Sequence, residues 1–427
     1  MTPWHPTHAL IRAGLVSVAV LVLAVTTGRI DMLALGVPFA VHAWFGLRAR
    51  PERVPTVVHR LAHTWLREGE GTRSRTRFAP AHEIEEASVL LAAQSFVAFD
   101  PPYGARSVSG RAGAHTLDVD MQVATLRWGA RDVAEVRAVA TSAWAGYYFG
   151  PVEIGASPLI TLPVPPPFDT RAPVPHPIGL VGTHPARRPG GGSEFAGIRR
   201  FQPGDRLRRV HWRVSLRTGT LHTTTTLAEE DSSVLLIVDA TLDVGVSGGI
   251  HGSASSLDRT VRAAGALSEH YLSQGDRVGV RVLGPARPPV VHFGAGRRHL
   301  RRVLDTLARV VPSDSGDETV TRMRFQVPAG AVVFVLGPML GERAFSATHL
   351  LARRGLTVVV VDTLPEDLDL GDAGPAERIA WRIRHLEREA LLGRLARTGV
   401  PVVPWRGPGT LDEVLRRLSR RRTGVGR

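Results

Sequence analysis

Two uncharged apolar runs near the amino terminus constrain the fold of this chain more than any other feature. The first extends from Ala13 to Thr27, the second from Met32 to Leu47, and only residues 28–31 separate them. Sixteen helical residues span about 24 Å against a hydrocarbon core of about 30 Å, so each run needs flanking residues to cross a bilayer. Neither run has the polar stripe of a soluble surface helix. The pattern predicts a two-helix transmembrane hairpin over residues 1–50.

A cleaved signal peptide and a buried helical hairpin of a soluble protein are the alternatives. A signal peptide would use Ala13–Val25 as its apolar region, but no Ala-x-Ala cleavage site follows and a second apolar run begins at once.

The turn carries Arg29, whereas several arginines follow the second run, namely Arg48, Arg50, Arg53, Arg60 and Arg67. By the positive-inside rule we expect a cell-membrane protein with two transmembrane helices and the bulk of the chain in the cytoplasm.

Missing residue types exclude several chemistries. The 427 residues include no lysine, cysteine or asparagine, so the formal net charge of +14 comes from arginine against aspartate and glutamate. Without lysine there is no Walker A loop and no Schiff-base mechanism. Without cysteine there is no thiol nucleophile, disulfide or thiolate metal site.

The rest of the chain divides by composition into five parts. Residues 51–80 form a membrane-proximal part, in which Val57, Val58, Leu61, Trp65 and Leu66 have helical spacing and predict a short helix. Residues 81–165 contain short alternating runs such as Leu117–Val123 and predict a small β-sandwich-like module. Residues 166–190 are rich in proline and predict an extended connector. The signature segment described below occupies residues 191–230.

Residues 231–427 predict an α/β domain with a doubly wound parallel sheet, because near-continuous Val/Leu runs alternate with amphipathic stretches. The predicted strands are Val234–Asp239, Arg277–Leu283, Pro289–Phe293, Ala331–Leu336, Leu356–Asp362 and Val400–Pro404. The predicted helices are Leu257–Leu272, Arg297–Val310, Ala344–Arg354, Pro375–Arg397 and Leu411–Arg422. The last of these has a basic face that suits contact with anionic lipid.

The segment between connector and sheet carries the most specific pattern. Eight of its residues share the spacing of one known signature: Glu194, Phe195, Arg199, Gly204, Asp205, Arg208, Trp212 and Arg217. That pattern resembles the signature of bacterial domain-of-unknown-function family 58. Phe201, Val210 and Leu216 replace the Tyr, Ile and Ala usual in the family.

The resemblance implies an architecture and a partner. Proteins of that family are similar in having two amino-terminal membrane helices, a β module, the signature segment and a von Willebrand factor A-like domain. They are often encoded beside MoxR-type AAA+ ATPases. The resemblance therefore implies a membrane-bound protein that works with such an ATPase.

Two interpretations of the signature residues follow from their chemistry. Arginine binds carboxylates through two parallel hydrogen bonds, so Arg199, Arg208 and Arg217 with Glu194 and Asp205 predict an ion-pair lattice. The favoured interpretation is structural, with the lattice buried and Trp212 as a buried wedge beside it. The other interpretation is an exposed lattice that docks a partner or an acidic ligand.

Asp239, Thr241 and Asp243 follow the first predicted strand of the α/β domain, at the end where open sheets bind ligands. These oxygen donors suit Mg²⁺, and an A-domain metal site would have Asp-x-Ser-x-Ser here. Gly337 and Pro338 stand where a distal acidic ligand would follow a neighbouring strand. We therefore expect a degenerate metal site and no required cofactor.

The sequence as a whole predicts a membrane-tethered, non-catalytic adaptor that docks a protein partner. One alternative is a hydrolase that uses Glu194, Asp205 or Asp239, although no nucleophile accompanies them. Another is binding of anionic lipid or nucleic acid through arginine-rich surfaces. No nucleic-acid reader motif is present, so nucleic acid is not expected as a partner.

Overall fold

The computed structural model describes residues 4–111, 113–133, 135–164, 189–202, 205–227, 233–314, 325–328, 331–366, 368 and 374–407. The chain forms two compact units, Met1–Leu162 and Pro163–Arg427. The Pro-rich connector predicted for 166–190 falls mostly outside the described residues, and the helix predicted for Leu411–Arg422 falls entirely outside them.

The first unit begins with two helices that pack against each other, α1 (His8–Thr27) and α2 (Asp31–Arg48). Gly28 ends α1 in the left-handed region with φ of 69°. A Cβ on Gly36 would lie 3.1 Å from Val20 Cγ1, so a larger residue here would force the Val20 side chain to shift. Most of the large apolar side chains on both helices are exposed.

Among the described residues, one helix is long and apolar enough to cross a membrane, and that helix is α1. Helix α2 is less apolar because it includes Asp31, Pro38, His42 and Arg48. The structure therefore supports one candidate span and leaves the predicted second span as a proposal.

Strands of the first unit make three sheets: a five-stranded sheet in the order β1-β11-β10-β5-β7, a four-stranded sheet β2-β4-β8-β6 and a three-stranded sheet β3-β12-β9. The strand bounds are β1 (His5–Pro6), β2 (Thr56–Leu61), β3 (Trp65–Arg67), β4 (Gly71–Ala79), β5 (Ile84–Leu91), β6 (Val97–Asp100), β7 (Ala105–Ser109), β8 (Leu117–Thr125), β9 (Gly129–Val133), β10 (Val136–Ser142), β11 (Tyr147–Ile154) and β12 (Ser157–Leu162). Side chains from all three sheets share one hydrophobic core, which includes Phe78, Val89, Met121, Val136 and Leu159.

The helix predicted around residues 57–66 is wrong. Thr56–Leu61 is strand β2 and Trp65–Arg67 is strand β3. Val57, His59 and Leu61 are half-buried while their neighbours are exposed, which is the two-residue period of a strand. Val58 is an exposed apolar residue in this strand and made the pattern resemble a helix.

The second unit contains a two-stranded ribbon, described with the site below, and a six-stranded sheet in the order β17-β16-β15-β18-β19-β20. Its strands are β15 (Ser233–Asp239), β16 (Arg277–Leu283), β17 (Val290–Gly294), β18 (Val332–Gly337), β19 (Thr357–Asp362) and β20 (Val402–Pro404). All neighbours in this sheet are parallel except β17, which pairs antiparallel with β16. The structure thus has a sheet with parallel strands, as expected, and an antiparallel edge that was not predicted.

Helices cover both faces of this sheet: α4 (Ser256–Ser273), α5 (Arg297–Ala308), α6 (Glu342–Arg353) and α7 (Pro375–Arg397). Leu235 and Ile237 share a core with Leu351 of α6 and Leu395 of α7. Leu236 and Val238 alternate with these residues and point to the opposite face. On that face Phe334, the register partner of Leu236, contacts Tyr271 of α4 at a ring separation of 5.8 Å.

Candidate functional site

The signature residues lie on a small antiparallel ribbon, β13 (Pro189–Arg200) paired with β14 (His222–Leu227). Between the two strands the chain makes a 3₁₀ turn, Leu207–Arg209, and a two-turn helix, α3 (Trp212–Thr218). Val210 bridges to Thr223 of β14, so the connection folds back onto the ribbon.

Helix α3 is fixed to β14 by one buried hydroxyl. Ser215 Oγ donates to the carbonyl of His211 at 3.0 Å and accepts from the amide of His222 at 2.8 Å. His211 caps the helix, because its Nδ1 accepts from the Val214 amide at 3.3 Å. In a second hydrogen bond to β14, the His211 amide donates to the His222 carbonyl at 2.9 Å. These contacts decide which face of α3 remains exposed.

Sequence reasoning missed Ser215 and the two histidines as supports of this helix. The pattern Trp212-Arg213-Val214-Ser215 contains a small polar residue three positions after the aromatic side chain. The available signal was the serine itself, since serine can bond the carbonyl four residues earlier in a helix.

The ion pair of the signature joins Arg199 to Asp205. Arg199 donates from Nη1 to Asp205 Oδ2 at 2.7 Å and from Nη2 to Oδ1 at 2.6 Å, and the Gln202 amide donates to Oδ2 at 2.9 Å. The Arg199 guanidinium, helped by the Gln202 amide, holds the pKa of Asp205 below its usual range. The bidentate geometry makes Asp205 a turn-fixing residue whose two oxygens are both engaged.

The other signature residues do not complete a buried lattice. Arg208 and Arg217 are exposed, and Phe201 is half-buried. Phe195 is 60% exposed on β13. Glu194 lies in β13, but its side chain is outside the described part of the chain, as is Gly204.

The expectation of Trp212 as a buried wedge is wrong. Trp212 is 61% exposed, and Leu216, one helical turn later, is 81% exposed. Residues four apart share a helix face, so α3 presents an apolar pair to solvent. Arg213 and Arg217 follow them on the same short helix and are also exposed. We call Trp212, Arg213, Leu216 and Arg217 the α3 face.

Asp239 ends β15 and is completely buried. Its Oδ1 accepts from Thr241 Oγ1 at 2.6 Å and from the Thr241 amide at 3.1 Å, whereas Oδ2 has no hydrogen-bond partner among the described residues. Burial raises the pKa of the Asp239 carboxyl. Its hydrogen bonds from Thr241 and the charge of Arg343 act in the opposite direction, and the charge of Asp314 acts with burial.

The three predicted metal ligands do not form one open site. Asp243 Oδ1 accepts from the Leu257 amide at 3.0 Å and from Ser256 Oγ at 3.3 Å, so it satisfies the first turn of α4. A Cβ on Gly337 would lie 3.0 Å from Asp239 Oδ2, so no side chain can supply a ligand from that position.

Over the part of the chain that the structure describes, no three His, Cys, Asp or Glu side chains are grouped to hold a metal ion. The Arg343 charge near Asp239 further opposes a divalent cation. The residues present therefore fit a magnesium site poorly, since Mg²⁺ favours near-octahedral oxygen coordination.

Comparison with known proteins agrees with the resemblance that the signature residues carry. "Uncharacterized protein Rv1480" of Mycobacterium tuberculosis and "Uncharacterized protein Mb1516" of Mycobacterium bovis are each 32% identical to this chain over 209 residues. Each match covers 46% of this chain and 62% of the relative, less than two thirds of the relative's length.

Among solved structures, the cupredoxin domain of amoB from Nitrosocaldus yellowstonii matches 26% of this chain and 88% of that domain, at 10% identity and a TM-score of 0.16. A similarity this small carries no argument about fold. The profile of the family described as "Protein of unknown function DUF58" matches residues 197–379, which include the last four residues of β13, all of β14, α3 and the sheet as far as the start of α7. Residues 197–379 of this chain are therefore similar to the DUF58 family.

Proposed function

We propose that this protein is a membrane-tethered, non-catalytic adaptor that docks a protein partner through the α3 face. The observation that carries the proposal is the exposure of Trp212 beside Leu216 on a helix that Ser215 holds in place. Tryptophan and arginine are enriched among the residues that dominate binding energy at protein interfaces. A fixed helix presents them with little loss of conformational freedom on binding.

The partner that the family resemblance suggests is a MoxR-type AAA+ ATPase. In this proposal the ATPase supplies the energy-consuming chemistry and the adaptor brings it to the membrane. The same resemblance suggests that the six-stranded sheet and its helices belong to the von Willebrand factor A-like class. The mixed sheet with helices on both faces is compatible with that assignment.

The tether is α1, with α2 as a second span that returns the chain to the same side. Apolar side chains on both helices face outward, which favours lipid contact over a buried soluble hairpin. The arginines that follow α2 favour cytoplasmic placement of the bulk of the chain.

Docking is favoured over hydrolysis by the state of the candidate carboxylates. Both oxygens of Asp205 are engaged, and Asp239 is fully buried away from any substrate. A general acid or base must come within hydrogen-bond reach of the proton that it moves.

The test is a binding measurement with the full chain in mild detergent and a MoxR-type ATPase from the same organism. Trp212→Ala and Leu216→Ala should each weaken binding at least tenfold. Leu386→Ala, which removes an exposed leucine of α7, is the matched control and should bind like the wild type. Equal binding by all four proteins would contradict the proposal.

A further inference from the structure

A cavity of about 490 Å³ lies beside α3, at the start of the α3 face. Its lining includes Arg208, Arg209 and Arg213 together with His211 and Trp212, and no aspartate or glutamate of the described residues lines it. Three arginines and a tryptophan therefore line the same cavity.

Two of these arginines have no ionic partner within the described part of the chain. Arg208 and Arg213 are exposed and take part in none of its ion pairs, unlike Arg199, which is saturated by Asp205. Guanidinium groups bind carboxylates bidentately, so an uncompensated pair in a cavity favours an anionic ligand.

Apolar neighbours indicate the source of that anion. Leu207, immediately before Arg208, is 71% exposed, and Leu216 and Trp212 are exposed on α3. Sites for single-stranded nucleic acid combine positive charge with aromatic rings on which bases stack. Exposed aliphatic side chains do not serve that stacking, and a group of exposed apolar side chains marks a surface for protein contact. The mixture favours an acidic peptide.

We propose that this cavity binds carboxylate side chains of an acidic segment in the partner protein, with Arg208 and Arg213 as the groups that receive them. The inference rests on the proposed docking function and names the chemistry that the partner must present. Trp212 would pack against the apolar part of the same segment.

The test uses the full chain in detergent and a fluorescent peptide of ten glutamates, with a peptide of ten glutamines as the uncharged comparison. The glutamate peptide should bind, with an affinity that falls as salt rises, and the glutamine peptide should not. Replacing both arginines by glutamine, R208Q/R213Q, should weaken binding at least tenfold. R208K/R213K should recover part of it, because lysine keeps the charge but loses the planar fork.

The control removes the same charge elsewhere. R378Q/R382Q changes two exposed arginines of α7 and should bind the glutamate peptide like the wild type. Thermal melts of every variant show that it is folded. Equal weakening by R378Q/R382Q and R208Q/R213Q would overturn the proposal, because binding would then follow net charge alone. Tighter binding of a ten-nucleotide single-stranded DNA that R208Q/R213Q abolishes would overturn it in favour of a nucleic acid.

The outcome is separable from that of the docking proposal. If Trp212→Ala abolishes ATPase binding while R208Q/R213Q binds the glutamate peptide normally, docking stands and the acidic-segment cavity is overturned. If binding of the glutamate peptide depends on Arg208 and Arg213 but no ATPase binds the wild type, the cavity is supported as an acidic-peptide site and the proposed partner is overturned.

Discussion

Arg388 of α7 forms an ion pair with Asp362 at the carboxyl end of β19. Arg388 Nε also donates to the Pro338 carbonyl at 2.6 Å, and the Arg388 side chain is 5% exposed. Asp362 lies next to Gly337 in the sheet register and accepts from the Leu364 amide at 3.0 Å. One buried arginine thus joins the long helix to two strand ends of the sheet.

Arg388→Met should destabilise this unit because it leaves Asp362 as an uncompensated carboxylate with little exposure. Removal of one partner of a buried pair costs about 3–5 kcal/mol. In a unit of this size that lowers the melting temperature by roughly 6–20 °C. Thermal unfolding measures the shift. The control is Arg394→Met, an exposed arginine on the same helix, and equal losses in both variants would contradict a specific role for the ion pair.

Trp212→Ala should leave the free energy of unfolding almost unchanged. If Trp212 were the buried wedge expected from the sequence, its truncation to alanine would lower the free energy of unfolding by about 3–5 kcal/mol. A mostly exposed side chain instead predicts a change within about 0.5 kcal/mol. Val210→Ala, which truncates a buried side chain nearby, should lower stability more than Trp212→Ala. A large loss in Trp212→Ala would show that the indole is buried in solution.

The difference at Trp212 shows where sequence reasoning stops. Residue types and spacing identify an aromatic side chain among arginines, but which face of a two-turn helix is covered depends on the tie between Ser215 and His222. That tie joins residues on two different elements, and no local period reports it.

Prediction succeeded where one pattern runs uninterrupted along the chain. Arg277–Leu283, a largely buried strand, and Pro375–Arg397, a helix of 23 residues, have the predicted bounds. It failed at Thr56–Leu61, where a strand with one exposed valine has apolar residues at helical spacing. The cap that Asp243 makes on α4 could not be told from a metal ligand, since both uses need the same carboxylate oxygen.

Membrane topology can be checked with reporters at each end of the chain. If both α1 and α2 span the bilayer, reporters placed before Trp4 and after Arg427 lie on the same side, and we expect the cytoplasm. Reporters on opposite sides would show that α1 alone crosses. Deletion of Asp31–Arg48 serves as the control, because loss of a true second span moves the carboxyl-terminal reporter to the other side.

Asp239 predicts a pH dependence of stability with a definite sign. Burial raises the pKa of its carboxyl in the folded state above the usual value of 3.8. The folded state therefore keeps this proton to higher pH than the unfolded state, and stability decreases as pH rises from about 3.8 through the folded-state pKa.

Asp239→Asn should remove this loss. The variant and the wild type should have similar stability near pH 3.5, and the variant should gain relative to the wild type as pH rises to 7. Chemical denaturation at several pH values measures the difference. Glu269→Gln, which neutralises an exposed carboxylate on α4, is the control. A difference between Asp239→Asn and the wild type that is independent of pH would contradict the shifted pKa.

Magnesium should raise the melting temperature of the wild type very little. Asp239 Oδ2 is buried without a hydrogen-bond partner among the described residues and Thr241 supplies one hydroxyl, but Asp243 is engaged with α4 and Gly337 supplies no ligand. If free Mg²⁺ were present at 100 times the dissociation constant of a true site, binding would stabilise the fold by about 2.7 kcal/mol. The melting temperature would then rise by several degrees. We expect no such shift, and Asp239→Ala should bind the ATPase equally with Mg²⁺ or with EDTA. A clear Mg²⁺-dependent rise in the wild type that Asp239→Ala abolishes would show that the carboxylate and its orphaned oxygen still hold a metal ion.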